Sequence, residues 1–215
     1  MTGPTKYAEV RRILERYIVE VVEAHALCPW ARAARTGGEI AVEVIFGEPT
    51  DEGWLAAIDS AFAASTTRAN LPTRVAMIVA PELGLDLAAF RAVRDRIATQ
   101  RSAYGIAEFH PRAALDLATP ARLVPFLRRS PDPLLQVVPL SLLQSVRASA
   151  LPDRAQQAQI LRGLANPPRD VATQIAVDNH ATVSARHAAI DAILDDIARD
   201  RDAAYARLGL RCLRR

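Results

Sequence analysis

Apolar residues recur at three- and four-residue spacing near the start of the chain and predict an amphipathic helix from about Tyr7 to Leu27. The stretch EIAVEVIF, from Glu39 to Phe46, alternates in part and is rich in β-branched residues, which predicts a strand closed by the turn residues GEPT. Asp51 is a typical helix cap, and the pattern behind it predicts a helix through about Thr67.

The middle of the chain carries three further apolar runs that predict strands. RVAMIVAPE, from Arg74 to Glu82, is almost entirely apolar, as expected of a central strand covered on both faces. A predicted helix (Leu85–Ser102) separates it from a strand at Tyr104–Pro111, and Leu134–Leu140 is the fourth strand. The 20 residues at 114–133 are longer than most loops, which indicates a functional or partly structured segment.

The last part of the chain has a helical pattern. It predicts one helix from about Ser141 to Leu164, broken at Pro152, and a long helix from about Val171 to Arg207 that ends at Gly209. We interpret residues 1–145 as an α/β core domain and residues 146–215 as a C-terminal helical extension packed on it.

This order of elements predicts an α/β fold: a three-layer sandwich around a small, mainly parallel sheet (β-α-β-α-β-β), preceded by one helix and followed by the helical extension. Right-handed crossovers should make the first three strands parallel. The fourth strand should then pair antiparallel with a neighbour.

Charge narrows the choice of partners. Among 27 basic residues only Lys6 is lysine, which fits either a biased base composition of the genome or recognition of phosphate or carboxylate groups by guanidinium forks. Arginines and acidic residues are interleaved along most of the chain, so no basic stripe indicates a nucleic acid partner. The one local excess of arginine runs from Arg122 to Arg147, where Asp132 is the only acidic residue.

Location and cofactors follow from what the sequence does not contain. No apolar run approaches the ~18 residues of a membrane span, and the first residues have no apolar signal core, so we expect a cytoplasmic protein without membrane attachment. Cys28 and Cys212 are too few for a disulfide framework or a thiolate zinc site, and Cys212 receives no role. No phosphate loop, HExxH or other cofactor motif is present, so we expect no metal and no cofactor.

The candidate chemistry lies where strands end, because ligands of open α/β sheets bind at the carboxyl ends of the strands. His110 follows the third strand and titrates near neutrality, which suits an acid, a base or a ligand. The alternative is a neutral histidine that holds a neighbouring loop. Arg128 and Arg129 are placed to clamp an anion and Ser130 to bind or cap beside them, unless RRSPDP is only a solvated turn.

Cys28 is the candidate nucleophile. Since proline favours the first position of a helix, Pro29 predicts that Cys28 is the residue before a helix, where free N–H groups favour the thiolate. The alternative is a small apolar side chain that fills a corner of the core. The length of chain between Cys28 and the first strand allows the thiol to lie at the sheet edge of His110 without requiring it.

Three short motifs together resemble a bacterial family known only as a domain of unknown function: Leu27-Cys28-Pro29-Trp30-Ala31, Phe109-His110-Pro111, and Arg129-Ser130-Pro131-Asp132-Pro133. They occur in the order of the family pattern and cover roughly residues 10–145. The resemblance implies that Cys28, His110 and Arg129 share one site. This chain departs from the pattern at Arg128, where the family has asparagine, and at Gln136 and Pro139, where it has histidine and arginine.

Two hypotheses follow. In the first, the protein is a cysteine-dependent enzyme in which Cys28 attacks a small anionic substrate, His110 assists, and Arg129 with Arg128 binds the anionic group, giving hydrolysis or group transfer. In the second, it is a non-catalytic module with a degenerate site that binds a small anion or a partner protein. The apolar side of the last helix would then serve a homodimer.

Overall fold

The structure, a computed structural model, describes residues 5–63, 73–149 and 171–211. Within these ranges it has four strands, seven α-helices and one π-helical segment. The strands are β1 (Ile40–Val44), β2 (Val75–Val79), β3 (Tyr104–Phe109) and β4 (Leu134–Pro139). The helices are α1 (Lys6–Arg16), α2 (Ala31–Thr36), α3 (Asp51–Ala63), α4 (Leu87–Gln100), α5 (Pro120–Leu127), α6 (Leu140–Ser149) and α7 (Val171–Leu208).

The first helix changes its winding midway. Thr5 caps α1 by accepting a hydrogen bond from the Ala8 N–H at 3.2 Å. After Arg16 the chain continues as a π-helical segment, Tyr17–Glu23. The predicted end at Leu27 is therefore too late, because Ala26 takes a left-handed conformation with φ 52° that a helix does not continue through.

The sheet is mixed, with strand order β1-β2-β4-β3. β1 and β2 are parallel, and β4 is antiparallel to both β2 and β3, so three strands share one direction as expected. The antiparallel fourth strand is also confirmed. β4 lies inside the sheet because its apolar residues Leu134, Leu135 and Val137 need cover on both faces, which leaves β3 at the edge.

Two apolar clusters confirm the three layers. On one face of the sheet, Trp54 and Ile58 of α3 and Phe90 and Ile97 of α4 pack on residues that include Ile78. The cluster on the other face joins α1, the π-helical segment, α5 and α7 to the opposite side of the same strands. We call these the α3–α4 face and the α1–α7 face.

The long last helix belongs to the second cluster. Val183, Ile190, Leu194 and Ile197 of α7 are buried in the same cluster as α1 and the sheet. The apolar side on which the expected homodimer rested is therefore already covered within the chain. Gly209 ends α7 with φ 66°, as predicted.

The remaining expectations are met in part. The long segment before β4 contains α5, which starts at Pro120 and is capped by the Thr119 hydroxyl. The predicted extension of α3 to Thr67, the break at Pro152 and the residue Cys212 lie outside the described residues. In the part of the chain that the structure covers, no helix combines the length and the apolar character needed to cross a membrane.

Candidate functional site: an arginine cleft at the sheet edge

The edge strand β3 presents a run of polar residues to the α3–α4 face. Successive side chains of a strand alternate between faces, so Ile106, Glu108 and His110 lie on one side and Phe109 on the other. Ile106 packs in the α3–α4 cluster, whereas Phe109 packs in the α1–α7 cluster. Glu108 and His110 therefore face α4.

A cleft with about 240 Å³ of empty space, partly open to solvent, lies between β3, the start of α4 and the end of α5. Its polar lining is Arg91, Glu108, His110 and Arg128, and its apolar lining is Leu87, Ala113, Val124 and Pro125. We call it the arginine cleft. Two of the predicted site residues, His110 and Arg128, contribute to it.

Glu108 organises the polar side of this cleft. It is buried, and its Oε1 accepts a hydrogen bond from Arg91 Nε at 3.0 Å. Its Oε2 lies 3.5 Å from Arg94 Nε and 3.4 Å from Arg128 Nη1. Burial alone would raise the pKa of Glu108, but a backbone hydrogen bond and the three guanidinium groups outweigh it and lower this pKa. Glu108 is therefore a carboxylate at neutral pH.

The arginines outnumber their carboxylate partners. Arg94 also lies 3.2 Å from Asp95, but Glu108 is the only charged partner of Arg91 and of Arg128 among the described residues. Three guanidinium groups and two carboxylates leave one positive charge. Burial lowers the pKa of Arg128, and the charges of Arg94 and Arg91 add to this against the opposing effect of Glu108. Such an excess favours the entry of an anion.

His110 is a fixed part of the cleft wall. Its ring is fully buried, with Nε2 3.1 Å from the Leu85 carbonyl oxygen and Nδ1 accepting from the Arg112 backbone N–H at 3.1 Å. The neutral tautomer with its proton on Nε2 satisfies both contacts. Burial lowers the pKa of His110 although the Leu85 carbonyl opposes this. The ring is therefore neutral at pH 7 and adds no charge to the cleft.

Arg129 and Ser130 hold the structure together beside the cleft and do not line it. Arg129 donates to the Ala113 carbonyl oxygen and to Asp191 of α7, each at 2.6 Å, and its guanidinium lies over the Phe126 ring. Ser130 is buried and donates to the Asp132 carbonyl oxygen at 2.5 Å. These contacts fix the segment before β4, which also binds β3 through the His110 N–H and the Arg128 carbonyl oxygen at 3.0 Å.

Cys28 lies elsewhere in the molecule. Its neighbours Leu27 and Tyr17 pack in the cluster on the α1–α7 face, and the Leu27 carbonyl oxygen accepts from Asn179 at 3.0 Å. The His110 ring, in contrast, lies beside Phe90 of the α3–α4 cluster. The neighbours of Cys28 and the His110 ring thus pack in clusters on opposite faces of the sheet, so these contacts do not support a hollow shared by Cys28, His110 and Arg129.

The expected helix start at Cys28 is also wrong. The Ala31 N–H donates to the Cys28 carbonyl oxygen at 3.2 Å, which makes a separate turn of Cys28–Ala31. The helix α2 begins only at Ala31, with Trp30 as its cap.

Sequence reasoning missed Glu108, Arg91 and Arg94. A signal for them exists: Glu108 is a charged residue in a strand, two positions before His110 and hence on the same face. Arg91 and Arg94 are three residues apart on the next element packed against that face, which places them side by side. Their contact with Glu108 requires α4 to pack on β3, and no local sequence pattern predicts that packing.

Comparison with known proteins assigns no function to the arginine cleft. Protein-family models, curated proteins and solved structures contain no match to this chain. The resemblance to the bacterial family therefore stays a prediction. Among the residues the structure describes, no group of three or more histidine, cysteine or acidic side chains is arranged to hold a metal ion.

Proposed function

We propose that the protein binds a small anionic molecule in the arginine cleft, with Arg91 and Arg128 as the groups that contact the anion. The observation that carries the proposal is the excess of guanidinium groups over carboxylates around Glu108, beside an open cleft.

The partial burial of the arginines allows the excess guanidinium groups to bind an anion. Arg128 and Arg91 keep 35% and 43% of their side-chain surface accessible, so a ligand reaches them while protein atoms cover the rest. Hydrogen bonds between guanidinium and an anionic oxygen are among the stronger ones in proteins, worth about 1.5–3 kcal/mol each. Glu108 contacts one nitrogen of each of these two arginines, Nε of Arg91 and Nη1 of Arg128. Their other N–H groups can bind a ligand.

The contacts favour binding over catalysis by Cys28. The ring nitrogens of His110 both have partners within the protein, and Cys28 lies across the sheet from the cleft. The cysteine-dependent reaction stays a prediction from the sequence, without a described site in which thiol, imidazole and guanidinium meet.

Thermal unfolding in sodium acetate and in sodium phosphate tests the proposal, with ionic strength held constant by sodium chloride. A ligand that binds only the folded chain raises the unfolding midpoint in proportion to the logarithm of its concentration above Kd. We expect at least one of the two anions to raise the midpoint of the wild-type protein, and R128Q and R91Q to lose most of that shift.

Matched controls exist on α4 and on α5, the helix that Arg128 directly follows. Arg122 of α5 pairs with Asp116 at 2.6 Å and Arg96 of α4 pairs with Asp51 at 2.8 Å, both away from the cleft. R122Q and R96Q should keep the wild-type response. Equal shifts in all five proteins, or no shift in any, would overturn the proposal.

A further inference from the structure

We infer that the ligand of the arginine cleft is a monocarboxylic acid with a short aliphatic chain. This inference rests on the proposed anion-binding function and adds to it the charge of the ligand and the nature of its remaining atoms.

The charge of the cleft indicates a monoanion. Arg91, Arg94 and Arg128 face Glu108 and Asp95, so one positive charge is left. The other charged groups that act on His110 are Arg112 and Asp86, which have opposite signs and offset each other. A single carboxylate balances the remaining charge, whereas a phosphate dianion exceeds it.

The shape of the carboxylate group also matches the arginines. A guanidinium fork presents paired N–H groups in one plane, as a carboxylate presents its two oxygens. Glu108 takes up only one nitrogen of Arg91, its Nε. A ligand carboxylate would pair with the outer N–H groups of the fork.

The opposite wall has no polar side chain. Leu87, Val124 and Pro125 are half-buried and Ala113 is buried, and together they form the apolar side of the cleft. Binding is favoured when aliphatic groups of the ligand displace water from this apolar wall. Because the cleft is small and partly open to solvent, the chain of the acid is short.

Isothermal titration with acetate, propionate, butyrate, butyramide and inorganic phosphate tests the inference. Each methylene buried against the apolar wall should improve Kd by up to about fourfold, so butyrate should bind roughly tenfold more tightly than acetate. Butyramide, which keeps the shape without the charge, should bind at least tenfold more weakly than butyrate. Phosphate should bind more weakly than butyrate.

Two isosteric variants test whether the apolar wall of the cleft determines the preference for butyrate. V124T places a hydroxyl in the apolar wall and should reduce the ratio of butyrate to acetate affinity severalfold. V177T changes an exposed valine of α7 and should leave this ratio as in the wild-type protein.

The outcomes show whether the monocarboxylate inference alone fails or whether the proposed anion binding fails with it. Equal affinity for acetate and butyrate, or tighter binding of phosphate than of butyrate, would overturn the monocarboxylate inference while leaving an anion site that depends on Arg128. Binding that R128Q and R91Q do not weaken would overturn both.

Discussion

Two arginine clusters of this protein have opposite charge balance. In the first, which we call the helix clamp, Arg12 and Arg16 of α1 bind Glu9, Glu20 and, across to α7, Asp196 and Asp200 at 2.6–2.8 Å. In the arginine cleft, three guanidinium groups surround Glu108 at 3.0–3.5 Å. The clamp has more carboxylates than arginines, and the cleft has fewer.

Under the proposed function, this difference separates a stabilising role from a binding role. In the clamp, hydrogen bonds occupy the Nε and Nη atoms of both arginines, so each fork is used inside the protein. In the cleft the distances are longer, and Arg91 and Arg128 line a partly open space. Guanidinium groups that lack carboxylates next to a cleft are prepared for an anion from solution.

The largest effect should come from removing the carboxylate at the centre of the cleft. Glu108→Gln leaves Arg91, Arg94 and Arg128 with no central counter-charge, and loss of one partner from a buried ion pair costs about 3 kcal/mol of unfolding free energy. Chemical denaturation measures this cost. Butyrate should stabilise this variant more than the wild-type protein, because the excess positive charge has grown.

Glu43→Gln in β1 is the control for that variant, since Glu43 contacts only the exposed Ser60 hydroxyl among its described partners. It should change stability little and leave the butyrate response unchanged. A Glu108→Gln protein that is as stable as the wild type would show that the arginines do not depend on this carboxylate.

The buried pair of Asp132 and Arg201 tests the effect of burial on an arginine–carboxylate contact outside the two clusters. Burial raises the pKa of Asp132 to about 6, against the attraction of Arg201 and the Tyr205 hydrogen bond. The folded chain thus binds more protons than the unfolded chain between about pH 4 and 6. The stability contributed by this group is complete below pH 4 and decreases as pH rises through 6.

Asp132→Asn removes this titration and keeps an acceptor for the Tyr205 hydroxyl. The unfolding free energy of the variant, relative to the wild-type protein, should therefore increase by about 2 kcal/mol between pH 4 and pH 7. Denaturant titrations of both proteins at each pH measure the difference. A difference that is constant over this range would contradict the buried, proton-binding state of Asp132.

Breaking the helix clamp should have a smaller effect. Hydrogen bonds from Arg12 and Arg16 lower the pKa of Asp200 to about 2, against its burial, so its contribution is present above pH 4 and is lost as pH falls toward 2. Because Asp200 is partly exposed, Asp200→Asn should cost about 1–2 kcal/mol at pH 7 and almost nothing at pH 2. Butyrate affinity should not change.

Asp178→Asn on the same helix is the matched control, since the described partner of Asp178 is Gln174 one turn away. A clamp variant that weakens butyrate binding as much as R128Q would show that the two arginine clusters are not independent.

The smallest effect is expected at Cys28. Since Cys28 and the arginine cleft lie on opposite faces of the sheet, Cys28→Ser should leave butyrate affinity within about twofold, a change below ~0.4 kcal/mol. Alkylation of the wild-type protein with iodoacetamide, assayed in the same titration, should also have little effect. A tenfold loss in either experiment would restore a link between the thiol and the cleft.

The sequence predicts the strands and helices of this fold well, but it does not predict which strands lie next to each other in the sheet. The alternating and continuous apolar runs identify all four strands, and helical spacing identifies α1, α3, α4 and α7, because burial of an apolar face dominates each of them. The insertion of β4 between β2 and β3 is not a local property. It follows from the need to cover both faces of β4, which only the assembled sheet reveals.

The candidate site shows the same division. The position of His110 at the end of one strand and of Arg128 before the next identifies both as candidates, and both line the cleft. Chain length and a family pattern connect Cys28 with them, but its neighbour Leu27 packs in the cluster on the α1–α7 face. Glu108, the group that gathers the arginines, was overlooked because a glutamate in a strand of unknown position has no evident partner.

A crystal structure of the protein with butyrate tests the central claim most directly, because it compares both arginine clusters in one experiment. The account predicts a carboxylate about 2.7–3.0 Å from the guanidinium groups of Arg91 and Arg128, with the aliphatic chain on Val124 and Leu87 and no anion at Arg12 or Arg16. Butyrate bound at the helix clamp with the arginine cleft empty would contradict it.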